Sequence, residues 1–183
     1  ISSGGTYKKI KNLGFDCIEV SNFTKFPEIL EGRVKTLHPK IHAGILYKRK
    51  NKKHLKNIKE NNLNTIDLVI VNFYPFEEVI QNTSNHEKII ENIDIGGPTM
   101  VRAAAKNYND VTVITSIDQY DELLNQLNKN KGSTTLEFRK KLSLNAFSET
   151  AYYDSLIANY FNKITNNYFP QKKIFHTNLI ERL

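Results

Sequence analysis

Ile66-Asp67-Leu68-Val69-Ile70-Val71-Asn72-Phe73 decides the fold of this 183-residue chain. Apart from Asp67 and Asn72, the stretch is continuously apolar and rich in β-branched residues. Such a strand is typical of a parallel sheet that is covered by helices on both faces. Because ligands bind at the carboxyl edge of such sheets, the residues that end the strand and follow it, Asn72 to Pro75, are candidates for a site.

Strands and helices alternate on either side of this stretch. We expect further strands at residues 1–3, 16–20 and 111–115, and helices at residues 7–13, 53–61, 77–80, 87–93, 118–127 and 135–161. This alternation predicts an α/β fold, a doubly wound domain with a mainly parallel sheet. Residues 31–46 show neither helix nor strand periodicity through Pro39, so we predict a polar loop there.

Composition and charge exclude several classes of function. The net charge is +7, but the excess is mostly Lys scattered among Asn, without the basic stripe and interleaved aromatics of nucleic-acid binders. No run approaches the roughly 18 apolar residues of a membrane span. Cys17 is the only cysteine and the five His residues lack ligand spacing, so we expect no metal site. A reducing cytoplasm fits this cysteine usage.

Residues 93–106, Ile-Asp-Ile-Gly-Gly-Pro-Thr-Met-Val-Arg-Ala-Ala-Ala-Lys, predict a loop that leads into a helix. Gly96 and Gly97 allow close backbone approach, and Pro98 suits the first helical position. The free N–H groups of such a helix end favour an anion or a developing oxyanion. Polar side chains accompany it, namely Asp94, Thr99, Arg102 and Lys106. The alternative is a buried Ala-rich helix after an ordinary loop.

Two further polar loops fall where parallel strands would bring them to the same sheet edge. Ser3-Gly4-Gly5-Thr6 has the small residues of a phosphate-binding loop, although a tight turn with a helix cap is the alternative. Residues 33–38 carry Arg33, Lys35, Thr36 and His38, which fits either a substrate-gripping loop or an exposed basic loop. Convergence of the three loops at one edge favours the functional interpretation of each.

Taken together, these motifs resemble the IMP cyclohydrolase family, the N-terminal part of bifunctional purine-synthesis proteins that also carry AICAR transformylase. The matching motifs are Ser3-Gly4-Gly5-Thr6, Phe26-Pro27-Glu28, Gly32-Arg33-Val34-Lys35-Thr36-Leu37-His38-Pro39, Asn72-Phe73-Tyr74-Pro75-Phe76, Ile93-Asp94-Ile95-Gly96-Gly97 and Arg102-Ala103-Ala104-Ala105-Lys106-Asn107. The resemblance implies a methylglyoxal-synthase-like fold over residues 1–165, apparently lacking its first strand. It makes residues 166–183 a linker towards a transformylase domain that is absent here.

The resemblance also implies a reaction, in which formyl-AICAR (FAICAR) closes its ring to IMP with loss of water. By analogy, four residues surround the reacting groups: Lys35, Tyr74, Asp94 and Lys106. We expect Asp94 to take the carboxamide proton while Lys106 holds its charge, Lys35 to act on the formyl oxygen, and Tyr74 to orient the base. The substrate-binding residues implied are Ser3, Gly4, Gly5, Thr6, Arg33, Thr36, Asn72, Ile95 and Gly96.

Cofactors and partners follow from the same resemblance. The cyclohydrolase needs no cofactor or metal, whereas the transformylase would use 10-formyltetrahydrofolate. We expect a nucleotide substrate, a homodimer of the full-length protein in the cytoplasm, and no nucleic acid or membrane partner. Two alternatives share the fold. One is a methylglyoxal synthase, and the other is an allosteric nucleotide-binding domain without catalysis, like that of carbamoyl-phosphate synthetase.

Overall fold

A computed structural model describes residues 1–175 and 177 of the chain. Its sheet has two parallel strands, β1 (Leu68–Ile70) and β2 (Thr112–Ile114), with Val69 opposite Val113. Both lie inside the stretches predicted to be strands. The helices are α1 (Gly4–Asn12), α2 (Val20–Thr24), α3 (Pro39–Leu46), α4 (Lys52–Glu60), α5 (Phe76–Asn82), α6 (His86–Glu91), α7 (Gly96–Lys106), α8 (Tyr120–Lys129) and α9 (Leu136–Ile164). Short 3-10 turns lie at Leu30–Gly32 and Ile117–Gln119.

Side-chain caps fix where several helices begin. The side chains of Asn51, Asn85 and Thr135 accept hydrogen bonds from backbone N–H groups at the starts of α4, α6 and α9. Each cap satisfies a donor that the first helical turn leaves without an intrahelical partner. The local sequence therefore sets these helix starts.

The core forms around α7, which packs against α3, α9 and both strands. Its Ala-rich face allows close packing, since Val101, Ala104 and Ala105 are fully buried. Long apolar side chains from α9, such as Leu142, cover the other side of the helix. Because α7 is held on several sides, its N-terminal end has a fixed position next to the carboxyl end of β1.

The predicted strands at residues 1–3 and 16–20 are wrong in extent, because only one parallel bridge forms there, between Ser2 and Glu19. The Ser2 N–H donates to Ile18 O and the Val20 N–H donates to Ser2 O, both at 3.0 Å. Ile18, in the second of these stretches, is 55% exposed. A cleft lies between this bridge and β1, so no ladder extends the pairing.

Helix α3 replaces part of the polar loop predicted at residues 31–46. Pro39 occupies the first turn, and the His38 Nδ1 atom accepts the Lys40 N–H at 3.1 Å. Ile41 and Ile45 are buried in the core. The prediction failed because Pro39 was taken as a helix breaker, whereas at the first helical position its missing N–H costs nothing.

The end of α9 at Ile164 is close to the predicted domain boundary at residue 165. Residues 166–175 form no helix or strand. The linker assigned to residues 166–183 stays a prediction, and residues 176 and 178–183 lie outside the described part. Within that part, no helix has the length and apolar character needed to cross a membrane.

Candidate active site

A cleft of about 770 Å³ opens beside β1 and the loops that follow it. The three polar loops singled out in the sequence meet here, as expected. The predicted site residues that line the cleft are Ser3, Thr6, Arg33, Lys35, Thr36, Asn72, Tyr74, Asp94, Ile95 and Gly96. Pockets that bury small ligands commonly measure about 300 to 1,000 Å³. The cleft therefore has room for a nucleotide.

Asp94 lies just before α7, with its carboxylate folded back over the start of the helix. Its Oδ1 accepts the Gly97 N–H at 2.9 Å, which satisfies one of the unpaired donors of the first turn. Burial raises the pKa of Asp94, while the Gly97 N–H and the positive charge of Lys35 oppose the rise. A carboxylate whose pKa is raised towards neutrality is better suited to accept and return a proton.

The two glycines at this helix start permit very close approaches by side chains. A Cβ at Gly97 would lie 2.2 Å from Asp94 Oδ2, and a Cβ at Gly96 would lie 2.4 Å from Thr36 Oγ1. The sequence predicted that the backbone at these glycines approaches a ligand closely, whereas the atoms nearest to the two Cβ positions belong to these two side chains. Glycine is therefore required so that Asp94 and Thr36 can sit against the backbone of α7.

Two backbone donors remain available at the same helix end. Among residues 1–175 and 177, the N–H groups of Ile95 and Gly96 have no hydrogen-bond acceptor. Both residues line the cleft. Free N–H groups at a helix start, together with the helix dipole, attract an anion or a developing oxyanion.

Lys35 lies within ion-pair range of Glu28, with Nζ 3.9 Å from Oε1. The Glu28 carboxylate reaches this position over Gly32, where a Cβ would lie 2.6 Å from Oε1 and where φ is +92°. Because the charge of Lys35 also acts on Asp94, the ammonium lies between two carboxylates. Lys35 is therefore placed to hold or move a proton beside Asp94.

Arg33 forms a two-point ion pair with Glu91, the last residue of α6. Both residues line the cleft, and both side chains are more than half exposed. The hydrogen bond from Arg33 lowers the pKa of Glu91. The predicted anion-binding guanidinium thus already has a carboxylate partner, which the sequence did not reveal.

The loop before α1 places two hydroxyl groups at the cleft. Ser3 is the residue before the helix, and its side chain makes no capping hydrogen bond, while Thr6 lies in the first turn. Gly4 has a φ of +54°, a conformation that glycine adopts readily. Gly4 and Gly5 do not themselves line the cleft, and open space surrounds the Cβ position of each.

Asn72 and Tyr74 reach the cleft from the loop after β1. Tyr74 is 49% exposed, so its phenol is accessible to a ligand. Both residues follow the strand that the sequence identified as the most apolar. Their position agrees with the rule that ligands bind beyond the carboxyl ends of parallel strands.

Lys106 does not reach the cleft, and its predicted pairing with Asp94 does not form within this chain. It is the last residue of α7, an 11-residue helix about 16 Å long, whereas Asp94 lies before the first residue. Its side chain is exposed and contributes nothing to the cleft lining. The charge that acts on Asp94 comes from Lys35 instead.

Three residues at or beside the cleft were not identified as site residues from the sequence. Glu28 pairs with Lys35, Glu91 pairs with Arg33, and Tyr153 from α9 hydrogen-bonds to the backbone around Asp94. Glu28 belongs to the quoted motif Phe26-Pro27-Glu28, which was the one available signal. Nothing in the sequence marked Glu91 or Tyr153, since they come from helices distant in sequence from their partners.

The described residues contain no group of three or more His, Cys, Asp or Glu side chains placed to hold a metal ion. His38 was one of the candidate residues in the loop at 33–38. The structure assigns its ring to the cap of α3, where it also lies 6.1 Å from the ring of Phe26.

Comparison with protein families divides the chain into two matched parts. Residues 1–99 match the MGS-like domain, and residues 104–183 match the family described as AICARFT/IMPCHase bienzyme. The boundary between the two matches falls within α7. Both matched parts therefore contribute to the core around that helix.

Curated relatives share the name bifunctional purine biosynthesis protein PurH. The protein from Clostridioides difficile is 49% identical over 93% of this chain and 33% of its own length. That from Bradyrhizobium diazoefficiens is 46% identical over the whole chain and 34% of its own length. The chain thus spans about a third of the relatives it matches.

A solved structure, described as the crystal structure of ForH, superposes with a TM-score of 0.76 at 31% identity. The match covers 87% of this chain and 84% of the ForH chain. The family match agrees with the parallel α/β architecture described above, and the curated relatives agree with the resemblance predicted from the sequence. The chain belongs to the MGS-like family and, within it, to the N-terminal part of the bifunctional purine biosynthesis proteins.

Proposed function

We propose that this chain carries an IMP cyclohydrolase, which closes the ring of FAICAR to give IMP and water. One observation carries the proposal. The half-buried Asp94 carboxylate, with its raised pKa, shares a nucleotide-sized cleft with Lys35 and with the free N–H groups at the start of α7. Ring closure needs a base, a proton donor and an oxyanion site, and these groups have the corresponding chemistry.

The first step forms the new bond between the carboxamide nitrogen and the formyl carbon. Asp94 accepts a proton from the attacking nitrogen. The N–H groups of Ile95 and Gly96 stabilise the charge that develops on the formyl oxygen, and Lys35 donates a proton that turns this oxygen into a hydroxyl. The product of this step is a cyclic carbinolamine, with Asp94 protonated and Lys35 neutral.

The second step removes water. The hydroxyl leaves with the proton that Asp94 holds, while the former formamide nitrogen gives its proton to Lys35 and forms the ring double bond. Both side chains return to their starting protonation states. The balance is therefore one FAICAR to one IMP and one water, with no oxidant, reductant or metal.

The remaining cleft residues suit binding and orientation. Arg33 and Thr36, with the hydroxyls of Ser3 and Thr6, would hold the phosphate and ribose. A guanidinium binds phosphate with two parallel hydrogen bonds, which fixes orientation as well as charge. We further propose that Tyr74 orients the reacting groups and that Asn72 shapes the base pocket. The Gly4-Gly5 backbone would leave room for the phosphate.

The rest of the activity is proposed from the relatives. A full-length homodimer in the cytoplasm would use 10-formyltetrahydrofolate in its transformylase part to make FAICAR. The cyclohydrolase would then consume that product. Neither the folate nor the homodimer enters the cyclisation chemistry above.

The test is conversion of FAICAR to IMP, followed by ultraviolet absorbance without any folate, using the protein at its full natural length. We expect turnover that Asp94→Asn and Lys35→Ala each lower by about 100-fold or more, the scale of a lost acid–base group. Glu87→Gln, on the exposed face of α6, is the matched control. IMP binding without turnover would replace the proposal with a non-catalytic nucleotide-binding domain, and methylglyoxal formed from a phosphorylated triose would replace it with a methylglyoxal synthase.

A further inference from the structure

We propose that Tyr153 is a positioning residue for Asp94, held in α9 and acting through the backbone of residues 92–94. The inference rests on the proposed function, since it assigns Tyr153 a role in proton transfer by Asp94. Tyr153 lies outside the cleft lining. Its hydroxyl would therefore act on the reaction through the segment that carries Asp94.

The Tyr153 hydroxyl makes two hydrogen bonds to one short segment. It accepts the Asp94 N–H at 2.8 Å and donates to the Asn92 carbonyl at 3.3 Å. These bonds satisfy both polar functions of a hydroxyl on a side chain that is only 4% exposed. Since Gly97 holds the Asp94 carboxylate at the other end, the residue is fixed at its backbone and at its side chain.

The Tyr153 ring joins this segment to the loop after β1. Its centroid lies 5.1 Å from that of Phe73 and 6.1 Å from that of Phe76. Phe73 stands between the cleft residues Asn72 and Tyr74 in the sequence. One side chain from α9 therefore contacts both segments that bring functional groups to the cleft, with its ring on one and its hydroxyl on the other.

The hydroxyl also fills the hydrogen-bonding positions of the Asp94 N–H and the Asn92 carbonyl, which water would otherwise occupy. Without it, the loop would admit water, and the pKa of Asp94 would fall towards its ordinary value. The neighbouring charged and titratable groups are Lys35 on the Asp94 side, and Tyr74 and Asp154 on the Tyr153 side. None of these is removed by changing Tyr153 to Phe.

Tyr153→Phe tests the proposal, because it keeps the ring contacts and deletes only the hydroxyl. We expect kcat for FAICAR cyclisation to fall about tenfold with KM within about twofold, since substrate contacts are unchanged. The acid limb of the kcat profile should move to lower pH, as Asp94 becomes better solvated. Tyr152→Phe is the matched control, because it removes the neighbouring hydroxyl, which donates to Glu77 Oε2 at 2.9 Å.

A double-mutant cycle separates positioning from general destabilisation. If Tyr153 acts through Asp94, Tyr153→Phe costs no further activity in the Asp94→Asn background. An equal loss in both backgrounds, or an unmoved acid limb, would overturn the inference while leaving the cyclohydrolase intact. Full activity in Asp94→Asn itself would instead contradict the role of Asp94 in the proposed function.

Discussion

Glu91 holds the guanidinium of Arg33 at the mouth of the cleft through two hydrogen bonds. Arg33 Nε donates to Oε2 at 3.2 Å, and Nη2 donates to Oε1. A pair this exposed contributes little to stability. Water screens the attraction between the charges, and holding two long side chains in one geometry costs conformational entropy. Its main consequence is electrostatic, since a negative charge stands where the proposed substrate phosphate would bind.

Glu91→Gln removes that charge and frees Arg33. We expect the KM for FAICAR and the Kd for IMP to fall about two- to fivefold at low ionic strength, with kcat unchanged, because the phosphate no longer competes with a carboxylate. The gain should shrink at high salt, as screening weakens charge effects. Titration calorimetry with IMP at two salt concentrations measures it.

Glu87→Gln gives the matched control for this change, since it removes one negative charge from the exposed surface of the same helix. It should leave both constants within about 1.5-fold, because an exposed charge at a distance is screened. A rise in the Kd of Glu91→Gln would show the opposite role, in which Glu91 pre-orients Arg33 for the phosphate.

Gly97→Ala tests the close contact between Asp94 and the start of α7. The new methyl would lie 2.2 Å from Oδ2 and 3.1 Å from Val71 Cγ1, so the carboxylate must move. We expect a loss of about 1 to 3 kcal/mol in the free energy of unfolding, the usual cost of overpacking. FAICAR turnover should fall by at least about tenfold, since the base leaves its position.

Gly5→Ala is the stability control for that variant. No atom lies within 4 Å of its Cβ position, and its φ is not in the left-handed region. Urea denaturation should show Gly5→Ala as stable as the unchanged chain or up to about 1 kcal/mol more stable. A Gly97→Ala protein with unchanged stability and turnover would mean that the Asp94 carboxylate is not held against α7.

Much of the fold was predictable because its decisive elements are local in sequence. The apolar stretch around β1 and the Ala-rich α7 depend on composition and spacing, and both appear where expected. The pairing of residues 1–3 with residues 16–20 was less predictable, because a strand's length depends on the neighbours that continue its ladder. Helix α3 was missed because a proline favours a loop in most sequence patterns, whereas Pro39 occupies the first turn of this helix.

The site residues also divide into those that local motifs predict and those that only tertiary packing brings to the cleft. Side chains carried by motifs, such as Lys35 and Asp94, reach the cleft because the loops that hold them end at one sheet edge. Lys106 lies away from the cleft of this chain, because the length of α7 sets its distance from Asp94. Partners that come from distant helices, such as Glu91 and Tyr153, were beyond prediction, since only tertiary packing brings them to their contacts.

Asn107→Ala tests how firmly the end of α7 is attached to the end of α3. The buried Asn107 side chain donates to Ile45 O at 2.8 Å and to Tyr47 O at 3.0 Å. Its loss should cost about 1 to 3 kcal/mol of unfolding free energy, because buried carbonyls lose their partner. Asn61→Ala, which removes an exposed bond to Asn57 O, should change stability by no more than about 0.5 kcal/mol in the same urea experiment. Equal effects would contradict this attachment.

Asp94→Asn should separate activity from stability. Because burial raises the pKa of Asp94, the folded chain holds the proton more tightly than the unfolded chain, and the ionised carboxylate destabilises the fold above the folded-state pKa. That penalty disappears as the pH falls through this pKa. The amide oxygen of Asn still accepts the Gly97 N–H and carries no charge.

We therefore expect Asp94→Asn to lose FAICAR turnover by about 100-fold or more while its Tm at pH 8 equals or exceeds that of the unchanged protein by about 2 to 4 °C. The difference in Tm should shrink as the pH is lowered from 8 towards about 4, because the raised pKa of Asp94 lets the folded chain take up the proton before the unfolded chain does. Thermal unfolding followed by circular dichroism at several pH values in this range measures the difference in Tm between the two proteins. A Tm that falls by several degrees at pH 8 would contradict this expectation. It would show that the charge of Asp94 stabilises the start of α7, so that the residue has a structural role as a helix cap.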